Sequence, residues 1–103
     1  MKIYQSLEGE RIPTVIGIDN ETSDNSTILD IETEDRVGLL YYISRTFAEL
    51  GLDISLAKIL TEKGAAVDTF YITTWDKQKI DSPEHQGYIE HRLQDAIHAL
   101  DKA

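Results

Sequence analysis

The chain has 103 residues, 10 Lys plus Arg against 19 Asp plus Glu, a formal net charge of −9, 41% hydrophobic residues and no cysteine. That length holds one domain. The acidic balance argues against nucleic acid and anionic membrane surfaces, and the missing thiols exclude disulfides, thiolate metal sites and cysteine nucleophiles. No run approaches the roughly 18 apolar residues of a membrane span, and the opening MKIYQSLEGER has no apolar signal core. The expectation is an acidic cytoplasmic domain.

Residues 1–12 are polar and patternless and read as a lead-in or linker, with the domain over 13–103. Residues 14–18 follow Pro13 with β-branched Val15, Ile16 and Ile18 and predict a strand. The cluster NETSDNS (20–26) predicts a turn. A second strand over 27–33 puts Leu29, Ile31 and Thr33 on one face and Ile28, Asp30 and Glu32 on the other. Leu39, Leu40, Ile43, Phe47 and Leu50 then recur at helical spacing, with Asp35 ahead of that helix and Gly51 just after it. A strand over 53–61 leaves open which face is buried, because Leu56 and Ile59 are both apolar. Lys63-Gly64 predicts a hairpin turn into a strand over 65–74, with Phe70 and Ile72 on one face and Val67, Thr69 and Tyr71 on the other. A charged loop leads to Ser82-Pro83-Glu84, the signature of a capped helix start, and that helix buries Ile89, Leu93, Ala96, Ile97 and Leu100. The order ββαββα predicts an α+β, ferredoxin-like two-layer sandwich: a four-stranded antiparallel sheet with two helices on one face.

Catalytic motifs are absent. His85, His91 and His98 do not share the geometry of a three-ligand zinc site and read as surface residues of the last helix, so neither metal nor cofactor is expected. No HExxH, GxSxG, Walker loop or GxGxxG occurs. One segment stands out, Thr33-Glu34-Asp35-Arg36-Val37-Gly38-Leu39-Leu40, which joins a strand to a helix. A glycine at a helix start leaves backbone N–H groups accessible at the positive end of the helix dipole, where a carboxylate is favoured. Asp35 nearby either holds a cation, as the ammonium of a free amino acid would require, or is simply the helix N-cap.

The stretch from Ile28 to Thr74 resembles the ACT domain, a small regulatory module, through DRVGLLYYISRTFAELGLDISLAKILT followed by VDTFYIT. With IPTVIGIDNETSD (12–24) ahead of it, the chain is most similar to the final ACT domain of the uridylyltransferase/uridylyl-removing family of nitrogen sensors. Val37 stands where many ACT domains have proline. An ACT domain is βαββαβ, so the resemblance implies that the strand over 14–18 fills the edge otherwise taken by a C-terminal strand. It further implies a regulatory ligand, a free amino acid with glutamine favoured, held between two ACT copies by Thr33, Asp35, Val37, Gly38, Leu39 and Leu40, with Ile59 and Thr61 added. The implied partner is another ACT domain, as a homodimer or tandem copy, and the implied role is allosteric control of uridylyl removal by a parent enzyme. The alternative is an ACT-like assembly module that binds no ligand. An RNA binder would need a basic face with RNP aromatics. An acylphosphatase-like enzyme would need more of a phosphate loop than Arg36 supplies.

Overall fold

In the computed structural model, which describes residues 12–102, alternation and turn chemistry fold the first half into an antiparallel hairpin. The lead-in expected over 1–12 lies, but for its last residue, outside the described residues. Strand β1 (Val15–Asp19) pairs with β2 (Thr27–Glu34) in the register Ile16 opposite Ile31. Asp19 shapes the turn between them: its carboxylate accepts the Glu21 and Thr22 amides at 2.8 and 3.2 Å and the Thr22 hydroxyl at 2.6 Å. Those bonds, the hydroxyl first, hold its pKa below the ordinary carboxylate range.

Helix α1 (Leu39–Glu49) follows and stops at Gly51, whose φ of +72° supplies the left-handed exit. The chain returns as β3 (Leu52–Lys58), a two-residue β4 (Thr61–Glu62) and β5 (Ala65–Thr74). Lys63 and Gly64 both have positive φ, 52° and 82°, as a two-residue hairpin with right-handed strand twist requires. Helix α2 (Pro83–Ala99) and a short 3₁₀ turn (Leu100–Lys102) complete the described chain.

The sheet order is β1-β2-β5-β3, all neighbours antiparallel, with β4 also paired to β5. The α+β, ferredoxin-like sandwich is therefore the fold, and β1 occupies the edge beside β2. The sheet has five strands rather than four, because the strand expected over 53–61 is divided. A bulge at Ser55 shifts its register between Ile54 and Leu56, and the ladder lapses at Ile59 and Leu60 before Thr61 resumes it opposite Ala66.

Both helices cover the face that carries Leu29, Ile31, Phe70 and Ile72. Ile43 and Phe47 from α1 and Ile89, Leu93 and Ile97 from α2 close the core, and Phe47 meets Phe70 edge-on at 5.2 Å. Two expected core residues of α1 behave differently: Leu50, at the C-terminal cap, is only half-buried, and Leu40, in the first turn, is 44% exposed. The polar loop before α2 adds Ile80 to the core. Its amide donates to the Thr27 hydroxyl at 2.8 Å, while its carbonyl accepts the Asn20 and Gln86 side-chain amides, each at 2.7 Å. Thr27 in turn bonds Asn20, so the polar groups at this end of the molecule are mutually satisfied.

Candidate functional site

At the opposite end, where β2 feeds α1, the chain is held open by bonds that leave the helix start free. The Asp35 amide donates to the Gly64 carbonyl at 2.9 Å, fastening the loop to the β4–β5 turn. Arg36 turns inward: Nε donates to Asp101 Oδ1 at 2.8 Å, and Nη1 donates to the Glu34 carbonyl at 3.0 Å and to Thr33 Oγ1 at 3.4 Å. A guanidinium committed in this way is not arranged to cradle a phosphate, which disposes of the acylphosphatase-like alternative.

Gly38 is the N-cap residue. Its φ of +85° is in the left-handed region, and no side chain caps the helix. Asp35 therefore does not cap α1. The Leu39 amide reaches the Arg36 carbonyl at 3.1 Å and the Tyr42 amide reaches the Gly38 carbonyl at 3.0 Å. Between them, the Leu40 and Tyr41 amides have no acceptor among the described residues.

These amides border a cleft of about 290 Å³. The first turn of α1 and Asp35 form one side, with Gly38, Leu39, Leu40 and Tyr41; Ile59 and Thr61 from the broken edge strand form the other; Ala66 and Asp68 of β5 also line it. Of the residues singled out in the sequence, Asp35, Gly38, Leu39, Leu40, Ile59 and Thr61 meet here. Thr33 and Val37 do not line the cleft. Thr33 is fully buried, its hydroxyl 2.7 Å from that of Thr14, and Val37 is fully exposed.

Arg36, Tyr41, Ala66 and Asp68 were not anticipated as lining residues. Asp68 had a legible signal: strict alternation from Phe70 and Ile72 places it on the helix-covered face, an unusual position for an acid. It is 3% exposed, and burial pushes its carboxyl pKa up. The Leu60 amide, donating at 3.3 Å, opposes that rise, and the nearby Asp35 adds to it.

The cleft thus sets free backbone donors at a helix dipole's positive end beside two carboxyl groups, a charge pattern complementary to a zwitterion. Among the described residues no group of three or more His, Asp or Glu could hold a metal ion, and no helix is long and apolar enough to cross a membrane.

A family model described as "ACR9-like, ACT-like domain" matches residues 15–100. The chain belongs to the ACT-like domain family. Its curated relatives include the bifunctional uridylyltransferase/uridylyl-removing enzymes of Cereibacter sphaeroides, 40% identical over 84% of the chain and 9% of the relative, and of Ruegeria pomeroyi, 38% identical over 93% and 11%. That of Azospirillum brasilense is 36% identical over 86% of the chain and 9% of the relative. The chain spans about a tenth of the length of these relatives. No solved structure matches it significantly. As an ACT-like domain, it carries unshared backbone amides and two carboxyl groups on the strand–helix cleft.

Proposed function

We propose that this ACT domain is a regulatory module that binds a free amino acid, glutamine first, in the cleft at the start of α1. The unshared Leu40 and Tyr41 amides carry the reading, because they are donors placed where a ligand carboxylate gains most from the helix dipole. The ammonium group sits against Asp35 at the mouth. Two charge-assisted contacts of roughly 1.5–3 kcal/mol each, less the cost of association, support a dissociation constant on the order of high micromolar to millimolar. In a parent of the uridylyltransferase/uridylyl-removing type, such a site would let glutamine report nitrogen supply and shift the balance toward uridylyl removal. Calorimetric titration with glutamine and a panel of amino acids tests this. Saturable heat in that range supports the reading, and silence from every amino acid contradicts it.

One observation favours assembly as a companion role. The sheet edge exposes Ile54 and Leu56 of β3 and Ile59 and Leu60 of the break after it, and Ile59 also lines the cleft. An apolar, unpaired edge of this kind suits a second ACT copy, which would close the cleft from outside. Light scattering at high micromolar concentration should show dimers; monomers alone would count against the pairing. Dimers together with calorimetric silence would favour the ligand-free assembly module.

A further inference from the structure

An amino acid's carboxylate at the α1 amides and its ammonium at Asp35 would leave one carboxyl group of the cleft unused. Asp68 is 3% exposed and lines the cleft beside Ala66 and Ile59. Its Oδ1 accepts the Leu60 amide at 3.3 Å, whereas Oδ2 has no hydrogen-bond donor and no cation among the described residues. A buried carboxyl with an unused oxygen destabilises the fold. Its place in a cleft wall is accounted for if a donor arrives from outside.

The depth of each group decides which donor. The ligand carboxylate belongs at the α1 amides, and its ammonium belongs beside exposed Asp35, where an ion keeps part of its hydration. What remains is the buried part of the lining, Leu39, Ala66 and Asp68, apolar but for the Asp68 oxygen, since the Arg36 guanidinium that also lines the cleft is already held by Asp101, Glu34 and Thr33. A neutral carboxamide is far less costly to dehydrate there than an ammonium, and it brings the missing N–H. A ligand side-chain carboxylate would instead meet Asp68 and Asp35 as like charges.

We propose that Asp68 reads the side chain of the bound amino acid, accepting an N–H from a terminal carboxamide, and so selects amide side chains over the corresponding carboxylates. This rests on the amino-acid-binding reading above. A buried acceptor built for a donor discriminates strongly against analogues that lack one.

The test is calorimetric titration of the full chain and of Asp68→Asn with glutamine, glutamate and alanine. The substitution keeps the side-chain shape and an acceptor for the Leu60 amide while replacing the second oxygen by a donor. Wild type should bind glutamine at least about tenfold more tightly than glutamate, and the variant should close or reverse that gap. Alanine, which has the zwitterion and no amide, should bind both proteins equally weakly. Circular dichroism checks that the variant is folded, and Asp68→Ser reads the same ratio should it not be. An unchanged glutamine-to-glutamate ratio in a folded variant would overturn the proposal and leave the amino-acid site standing. No binding of any amino acid to wild type would overturn both.

Discussion

The two helices begin in opposite ways. At α2, Ser82 Oγ accepts the His85 amide at 3.2 Å, the Ser82 carbonyl accepts the Gln86 amide at 2.9 Å, Pro83 removes one donor, and Glu84 faces the dipole. At α1, Gly38 offers no side-chain cap, the first turn holds no acid, and two amides stay unshared. The buried polar groups repeat the contrast. Asn20, Thr27 and Ile80 satisfy one another near the start of α2, while Asp68 keeps a free oxygen beside the start of α1. One end of the sandwich is closed by its own sequence, and the other keeps donors and an acceptor in reserve. Unsatisfied groups of both signs in one cleft are the observation on which the proposed ligand site rests.

Changes at the two helix starts should therefore separate stability from binding. The largest effect is expected from Gly38→Val. An added Cβ would meet only the Tyr42 ring at 3.8 Å, so space is not the obstacle, but a φ of +85° is strained for a β-branched residue. Chemical denaturation should show a loss of about 1–3 kcal/mol together with lost amino-acid binding. Ser82→Ala should lose about 1 kcal/mol by the same measurement and leave binding unchanged.

Asp68→Asn should alter the pH dependence of stability. Because the folded-state pKa of Asp68 is raised, the folded chain holds its proton longer than the unfolded chain. Its contribution is thus most favourable at acid pH and is lost as pH rises through the ordinary carboxylate range toward the raised value. Denaturation at several pH values should show wild type losing stability relative to the variant as pH rises through that window. Asp35→Ala should change stability least, by under about 0.5 kcal/mol, since Asp35 caps nothing, and should still weaken amino-acid binding.

Much of this architecture was legible in the sequence, and the misses have physical causes. Alternation grouped Leu29, Ile31 and Thr33 on one face, which is buried, and Ser82-Pro83-Glu84 marked the start of α2, because local patterns of that kind are decided within a few residues. Ile80 escaped because one apolar residue in a polar loop has no period to betray it. The division between β3 and β4 escaped because both faces of an edge strand can be apolar when neither is covered. The site was visible where loop chemistry announced it, from Asp35 to Leu40. Alternation put Asp68 on the helix-covered face, but its meeting with the loop depends on β5 arriving between β2 and β3, which brings Ala66 and Asp68 there and which no local pattern announces. Thr33 and Val37 were close in sequence but were carried off, one into the core and the other into solvent.

The open start of α1 is proposed to receive the carboxylate of an amino acid. Backbone amide resonances during a glutamine titration test it most directly. Saturable shifts should concentrate at Leu40 and Tyr41, with smaller ones at Asp35 and Asp68, while His85 and Gln86 at the capped start of α2 stay still. Shifts that leave Leu40 and Tyr41 unmoved while glutamine binds elsewhere would contradict it.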